Sequence, residues 1–275
     1  MQDAGHAPGA EREAVEALLA ARAHGRPLDV AHLPVPTLAS AYRVQRRLVA
    51  AHVARGRALG GWKLGMTNRA RRAALGLDGP TSGALFADAI ARPGETLVLG
   101  PLVRPHVEPE IAYLVDEPLS GAVSSADVRA ACRVAPALEL LDSCTGPDWP
   151  PPLAAGLADN AAGLGALVGS PAGPAHAFDP AACELRFAHD DAAPAAARVA
   201  EALGDPAEAV AWLAGELASR GIVLRAGDVV LTGGVLPALP LIPGRCCAAG
   251  DGGLGGVTAT IQPGEHRCEL HISVT

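Results

Sequence analysis

From Gly60 to the C-terminus the chain consists of short apolar runs that are interrupted by glycine and proline. Such runs, when rich in aliphatic and β-branched residues and bounded by turn residues, predict β-strands. Helical patterns separate them at two places, so the regular alternation of strand and helix that builds a doubly wound parallel sheet is missing. We therefore expect an α+β domain around a curved mixed β-sheet or barrel. The predicted strands cover residues 61–64, 96–99, 109–115, 135–142, 166–168, 184–188, 228–232 and 257–261.

The two helices of this region have recognisable boundaries. One begins at Ser124 or Ser125 and runs to Arg133. The other begins after Asp205-Pro206 and ends before Gly221, a residue type that favours the position just past a helix end. The Pro-, Ala- and Gly-rich segment 171–182 is predicted to be a loop.

The first 59 residues have a helical pattern instead. A helix is predicted over residues 11–24, and a second helix from the N-cap Thr37 to Gly56. The apolar side of the second helix is predicted to contain Leu38, Tyr42, Leu48, Val49 and Val53. We therefore divide the chain into a helical N-terminal segment, residues 1–59, and a mixed-β domain, residues 60–275, that act as one functional unit.

Charge and composition exclude several classes of function. The net charge of −7 at pH 7 and the isoelectric point near 5.7 argue against nucleic acid as a partner. No apolar run reaches the roughly 18–20 residues needed to cross a membrane. The N-terminus has no basic segment followed by an apolar stretch, so we expect a cytoplasmic protein. The six cysteines form no C-x-x-C pair and are expected to be reduced thiols. They are Cys132, Cys144, Cys183, Cys246, Cys247 and Cys268.

Two glutamates stand two residues apart in a predicted strand, because Glu108 and Glu110 precede the run 111–115 with its strand-forming residues. Alternate residues of a strand share a face, so both carboxylates would meet and repel unless a cation or a shared proton lies between them. Glu139 stands among apolar residues, where an unpaired carboxylate would be costly. Three carboxylates with no histidine or cysteine at ligand spacing suit Mg²⁺ or Mn²⁺. The alternative is a glutamate pair on the solvent face of an edge strand.

Lys63 lies inside an otherwise apolar strand that is flanked by glycines. A buried ammonium needs an anionic partner. Lys63 would either hold a substrate carboxylate or enolate, or act as a base with a lowered pKa. The alternative is a lysine that extends from the strand end to solvent. Arg69, Arg71 and Arg72 follow in a predicted helical turn and are expected to be surface charges, unless one of them reaches a second carboxylate of a dianionic substrate.

Two further segments contain candidate substrate-binding residues. Gly233 and Gly234 end the predicted strand 228–232, and glycine there lets a ligand approach the backbone closely. Asp159 and Asn160 would either line a pocket or cap a turn.

Seven segments occur in a characteristic order between residue 61 and residue 257. They are GWKLGMT (61–67), LFAD (85–88), VEPEIA (107–112), LELLDS (138–143), ADNA (158–161), GDVVLTGG (227–234) and GLGGV (253–257). With this combination the chain resembles the 2-keto-4-pentenoate hydratase / 4-oxalocrotonate decarboxylase family, within the fumarylacetoacetate hydrolase superfamily. The helical N-terminal segment is also of the kind that this family has.

The resemblance implies a mixed-β fold with a divalent metal, usually Mg²⁺, held by Glu108, Glu110 and Glu139. It implies that the metal chelates the carboxylate and keto oxygens of a small 2-oxo acid substrate, and that the catalytic Lys63 supports the enolised form. It also implies a homo-oligomer, or a hetero-complex with a related hydratase or decarboxylase, because such enzymes often associate.

The chain departs from the family at three positions. Thr81 stands where hydratases usually have an aspartate, and Ala162 and Gly163 replace serines. Loss of the acid weakens the case for water addition, and residues 232–244 are more similar to the decarboxylase branch.

The expected function is therefore Mg²⁺-dependent decarboxylation of a vinylogous 2-oxo diacid such as 2-oxo-3-hexenedioate. The first alternative is a hydratase that adds water to a 2-hydroxy-2,4-dienoate, and the second is a catalytically impaired homologue that serves as a partner subunit. The residues expected to contact the substrate are Thr81, Asp159, Asn160, Gly233 and Gly234.

Overall fold

The computed structural model describes residues 8–146, 148–190, 193–264 and 270–273. Within them the α-helices are α1 (Pro8–His24), α2 (Leu38–Ala54), α3 (Arg69–Ala74), α4 (Ser125–Ala131), α5 (Leu153–Ala158), α6 (Val199–Leu203) and α7 (Pro206–Ala218). The strands are β1 (Leu59–Gly65), β2 (Thr81–Phe86), β3 (Ile90–Ala91), β4 (Thr96–Leu99), β5 (His106–Val115), β6 (Cys132–Leu141), β7 (Gly163–Val168), β8 (Gly173–Pro174), β9 (Glu184–His189), β10 (Ala195–Arg198), β11 (Val229–Gly234), β12 (Leu239–Pro240), β13 (Gly244–Gly250), β14 (Gly255–Pro263) and β15 (Leu270–Ser273).

Nine of the described strands form one mixed sheet in the order β2-β1-β11-β5-β6-β7-β3, in which β12 also pairs with β5 and β8 with β6. The β1–β11 and β3–β7 pairs are parallel, whereas the β11–β5, β5–β6 and β6–β7 pairs are antiparallel. Strands β5 and β6 are buried along most of their length, as their nearly continuous apolar sequences predict. The second sheet has the order β10-β9-β13-β14-β4-β15. The prediction of an α+β fold with mixed sheets is confirmed.

The N-terminal helices form a separate small core with α5. Thr37 caps α2 through a capping box with Ser40, as predicted. Helix α1 packs on α2 and α2 packs on α5, and this core includes Leu18, Val44 and Leu157. Because α5 comes from the mixed-β part of the chain, the helical pair is fixed against the segment that joins β6 to β7. The division into two units at residue 59 stays a prediction.

Four sequence expectations differ from the structure. The buried face of α2 contains Ala41, Val44 and Leu48, whereas Val53 is 46% exposed near the helix end. Helix α4 ends at Ala131 because Cys132 already has extended backbone angles and opens β6. The segment 171–182 is not wholly irregular, since β8 pairs there with β6. Strands β2 and β13 were not anticipated.

The described cysteines, Cys132, Cys144, Cys183, Cys246 and Cys247, are free thiols, as expected, and Cys268 lies outside the described residues. None of the helices in the described ranges is long and apolar enough to span a bilayer.

Candidate metal centre and adjoining cavity

Three glutamate side chains converge on one face of the two central strands. In the β5–β6 ladder Glu108 lies directly opposite Glu139, and Glu110 follows two positions along β5. Side chains alternate along a strand, so Glu108 and Glu110 share a face, and the cross-strand register adds Glu139 to it. One carboxylate oxygen from each of the three residues lies within 4.8 Å of the other two. Glu110 and Glu139 are both 0% exposed, so this is not the solvent face of an edge strand.

Some oxygens of these carboxylates lack the partners that buried charges require. Among the described residues no donor reaches Glu110 Oε1 or Glu139 Oε2, whereas Glu110 Oε2 accepts the N–H of Gly233 at 2.8 Å. Burial and repulsion from Glu139 and Glu108 raise the pKa of Glu110 well above its ordinary value. Burial and the Glu139 charge raise the pKa of Glu108 to about 7. An all-oxygen set with orphaned buried atoms fits a hard divalent cation such as Mg²⁺ or Mn²⁺, whose charge would favour the ionised carboxylates.

Lys63 stands beside this centre on β1. Its Nζ lies 2.9 Å from Glu139 Oε1 and donates a hydrogen bond to the carbonyl oxygen of Ala161 at 2.9 Å. The side chain is 6% exposed, so it does not extend to solvent. Burial alone would lower the pKa of Lys63, but the three neighbouring carboxylates outweigh it and the pKa lies above its usual range. The geometry therefore favours a fixed ammonium over a basic amine.

Lys63 is the only lysine among the 22 lysine and arginine residues of the chain. An ammonium is a compact point charge, whereas a guanidinium is planar and broader. Gly83 pairs with Lys63 in the β1–β2 ladder, and a Cβ at Gly83 would lie 3.0 Å from Lys63 Cδ. The narrow space beside β2 fits the linear lysine side chain. A single lysine in a chain that otherwise uses arginine therefore indicates, from the sequence alone, that position 63 is special.

The carbonyl group that accepts from Lys63 belongs to a turn in the left-handed backbone region. Asn160, Ala161 and Ala162 have φ angles of 52°, 53° and 59°. Each such non-glycine residue costs roughly 1 kcal/mol. Asn160 offsets part of this cost because its side chain accepts from the backbone N–H of Ala84 at 2.8 Å and donates to its carbonyl at 2.9 Å. The turn thus keeps its strained backbone conformation next to the carboxylates and Lys63.

A cavity of about 670 Å³ opens beside Lys63 and Glu108. Glu108 is the only carboxylate among the described residues that line it, and exposed Arg71 is the only cation besides Lys63. The rest of the wall is largely apolar, so a ligand would place an anionic group at the Lys63 end and a less polar part along the wall. The apolar lining includes Leu64, Met66, Leu141, Trp149, Pro150, Pro151, Leu153, Leu157, Val235, Leu236, Pro237 and Ala238.

The predicted substrate-binding residues fall into two groups. Thr81, Gly233 and Gly234 line the cavity. Asp159 and Asn160 are not among the residues that line it, and their contact with a ligand stays a prediction. The side chain of Asp159 is 0% exposed and paired with Arg22, and that of Asn160 is used by Ala84, so both hold backbone in place. Asp159 and Asn160 therefore support the backbone beside the cavity.

The backbone at Gly233 and Gly234 lies against the glutamate carboxylates. Gly233 has φ of +100° and its N–H donates to Glu110. A Cβ at Gly234 would lie 2.9 Å from Glu108 Oε2. The groups that approach the backbone closely at this strand end are therefore the carboxylates of Glu110 and Glu108.

Arg22 and the segment around Trp149 were not anticipated as parts of the site. Arg22 is separated from Asp159 by 137 positions, and no local pattern marks such a pair. Trp149 stacks on His106 with ring centroids 4.0 Å apart and lines the cavity. The run of aromatic and proline residues at 149–152 was the available signal, because rigid apolar segments are typical of pocket walls.

The chain matches the family model described as fumarylacetoacetate (FAA) hydrolase C-terminal over residues 68–262. It is 35% identical over 252 residues to 2-keto-4-pentenoate hydratase 2 of Dechloromonas aromatica (strain RCB), which covers 90% of this chain and 96% of that protein. It is 34% identical over 223 residues to a 4-oxalocrotonate decarboxylase of Pseudomonas sp, with 76% and 82% covered.

A solved structure supports the same relationship. The 4-oxalocrotonate decarboxylase from Pseudomonas putida G7, complexed with magnesium and adipate, has a TM-score of 0.83 and 28% sequence identity to this chain. The alignment covers 94% of this chain and 99% of that chain. The fold expected from the seven sequence segments is confirmed.

Proposed function

The chain belongs to the fumarylacetoacetate hydrolase family, and on this basis we propose that it is a metal-dependent lyase that decarboxylates a 2-oxo-3-enedioate such as 2-oxo-3-hexenedioate. Its relatives include hydratases and a decarboxylase of unsaturated 2-oxo or 2-hydroxy acids. The convergence of Glu108, Glu110 and Glu139 next to Lys63, at the polar end of a cavity, supports this class of reaction.

Glu108, Glu110 and Glu139 would hold Mg²⁺ or Mn²⁺. A divalent cation supplies Lewis acidity that stabilises negative charge on a substrate oxygen. Glu110 is aimed by the backbone N–H of Gly233, and Glu139 by the ammonium of Lys63. These two contacts fix the carboxylates before a ligand arrives, which lowers the cost of organising the site.

Lys63 would hold the 2-oxo acid end of the substrate. When the distal carboxylate leaves as CO₂, the electron pair of the broken C–C bond passes through the conjugated double bond to the 2-oxo oxygen. A preorganised ammonium stabilises charge that develops at this oxygen. The apolar wall around Trp149 and Leu236 would surround the departing carboxylate and exclude water from it.

One observation carries the choice of decarboxylation. Among the described residues that line the cavity, Glu108 is the sole carboxylate, and it belongs to the metal set. Hydration needs a further group that activates water or delivers a proton to the far end of the conjugated system. Thr81 occupies the cavity where that acid is expected, and a hydroxyl is a poor acid at neutral pH. Decarboxylation needs chiefly an electron sink.

Hydration of 2-hydroxypenta-2,4-dienoate is the second candidate, because relatives at 35–36% identity over 90% of the chain are named as hydratases. A partner subunit without activity of its own is a third. The three carboxylates and Lys63 argue against that role, since a scaffold has no need of three clustered carboxylates around a single ammonium.

The test uses the purified protein alone with Mg²⁺ and two substrates. We expect CO₂ release from 2-oxo-3-hexenedioate, and slow or absent loss of the dienoate absorbance of 2-hydroxypenta-2,4-dienoate. Chelator-treated protein and the Glu139→Gln variant are the controls, and both should be inactive. Faster hydration than decarboxylation would overturn the proposed reaction. Activity that appears only after a related hydratase is added would support the partner-subunit role.

A further inference from the structure

We propose that Arg22 of helix α1 is a positioning residue for the active site, because through Asp159 it holds the turn 160–162 whose carbonyl orients Lys63. Only the expected changes in kcat and KM rest on the proposed function. Arg22 lies outside residues 68–262, the part of the chain that matches the family model. The N-terminal helical segment would thus take part in arranging the catalytic groups.

The first link is an ion pair between α1 and the start of the turn. Arg22 Nε donates to Asp159 Oδ1 at 2.7 Å, and Arg22 Nη2 donates to the carbonyl oxygen of Asp142 at 2.7 Å. The Arg22 side chain is 19% exposed and that of Asp159 is 0% exposed. A planar guanidinium makes two directed bonds of this kind at once, which an ammonium does not. Arg22 therefore fixes Asp159 relative to the end of β6.

The second link connects Asp159 to the strained backbone. Asp159 Oδ2 accepts the N–H of Cys144 at 3.1 Å, and the carbonyl oxygen of Asp159 accepts the N–H of Ala162 at 3.0 Å. The N–H of Asp142 donates to the carbonyl of Ala162 at 2.9 Å. Residues in the left-handed region persist only where their surroundings hold them. Asp159 is bonded to both sides of the turn and is such a support.

The third link is the hydrogen bond from Lys63 to the carbonyl of Ala161 at 2.9 Å. If this carbonyl moves, the only remaining described contact that directs the ammonium is the 2.9 Å ion pair with Glu139. Asn160 would still tie the turn to Ala84, so we expect a displaced turn rather than an unfolded one. A misplacement of about 1 Å in a catalytic group can cost about 10²-fold in rate.

A second ion pair in the same helices provides a matched control. Glu11 of α1 accepts from Arg43 at 2.6 Å and from Arg47 at 2.8 Å, both on α2. Glu11 is 7% exposed, whereas the side chains of Arg43 and Arg47 are 29% and 52% exposed, and the bonds of Glu11 join α1 to α2. The Glu11→Gln variant should lower the stability of the helical pair without moving the turn.

The experiment reads the environment of Lys63 directly. Because Lys63 is the only lysine of the chain, protein grown with ¹³Cε-lysine gives one side-chain NMR signal. The variants are Arg22→Met, Asp159→Asn, which keeps the shape of the side chain, the double variant, and Glu11→Gln. Each is measured for the lysine signal, for thermal unfolding, and for kcat and KM with 2-oxo-3-hexenedioate and Mg²⁺.

We expect Arg22→Met and Asp159→Asn to shift the lysine signal and to lower kcat about 10- to 100-fold, with KM within about threefold of the original. The double variant should regain part of the stability, because neither Arg22 nor Asp159 is then left buried opposite a missing partner, but not kcat or the original lysine signal. The Glu11→Gln variant should be less stable but should keep the original kcat and the original lysine signal.

The proposal is overturned if the Arg22 and Asp159 variants lose stability while the lysine signal and kcat stay unchanged. If Arg22→Met does not fold, Asp159→Asn and the double variant decide by the same criteria. If the unaltered protein turns over neither substrate, the proposed function fails, and the lysine signal alone still decides the role of Arg22.

Discussion

Replacing Lys63 by methionine should separate catalysis from metal binding. The ammonium is 6% exposed and lies 2.9 Å from Glu139 Oε1, so its charge is already in place when a ligand binds. Removing one preorganised group that stabilises developing charge costs about 10²–10³-fold in kcat, or about 2.7–4 kcal/mol. Mg²⁺ affinity should stay equal or increase, because the ammonium and the metal ion repel each other at the same carboxylates.

The same variant makes a prediction for stability. Removing one partner of a buried ion pair typically costs about 3–5 kcal/mol, because the other charge remains buried and unpaired. Saturating Mg²⁺ supplies positive charge to the same carboxylates and should recover much of this loss. Lys63→Met should therefore be strongly destabilised in metal-free buffer and only mildly destabilised with excess Mg²⁺, as measured by urea denaturation in both buffers.

Turnover is assayed by CO₂ release, and Mg²⁺ binding by calorimetry. Arg57→Met is the control for loss of a surface cation, since Arg57 pairs at 2.7 Å with Asp88, whose side chain is 55% exposed. That variant should change the free energy of unfolding by no more than about 1 kcal/mol and leave turnover unchanged. Turnover of Lys63→Met within threefold of the unaltered protein, or a tenfold loss of Mg²⁺ affinity, would refute the reasoning.

The remaining predictions concern the cavity, the metal set and stability. Thr81→Asp places a carboxylic acid in the cavity and should raise the hydration rate of 2-hydroxypenta-2,4-dienoate, measured by loss of dienoate absorbance; no gain would remove Thr81 from the choice of reaction. Because burial and the Glu139 charge raise the pKa of Glu108 to about 7, protons should compete with the metal, and Mg²⁺ affinity measured by calorimetry should fall as the pH drops from about 8 to about 6; constant affinity would contradict this. Burial and Arg57 lower the pKa of His52 from 6.5 to about 4, so its neutral form stabilises the folded state above pH 6.5 and this contribution is lost as the pH falls toward 4. His52→Gln should therefore flatten the fall of the melting temperature across that interval.

Much of the fold follows from local sequence patterns, and the exceptions have physical reasons. Strands such as β5 and β11 combine apolar residues of high strand preference with clear turn residues at their ends. Strand β13 has the sequence GRCCAAG, which has little strand preference of its own, and it is extended because β9 and β14 pair with it on both sides. Strand β2 contains Gly83 and likewise owes its conformation to the pairing with β1.

Some residues of the candidate site also follow from local sequence patterns, and others do not. The Glu108–Glu110 pair follows from the two-residue period of a strand, and Glu139 from its apolar surroundings. The contacts of the Asp159 and Asn160 side chains do not follow from sequence, because their partners Arg22 and Ala84 lie far away along the chain. Arg22 meets Asp159 only because α1 packs on α2 and α2 packs on α5, contacts between distant parts of the chain.

The most direct test of a three-glutamate metal centre is a crystal structure of the protein grown with Mn²⁺, with anomalous diffraction used to locate the ion. We expect one strong peak that is coordinated by carboxylate oxygens of Glu108, Glu110 and Glu139, and its disappearance in Glu139→Gln. A peak elsewhere, or a peak that persists in that variant with two ligands only, would contradict it.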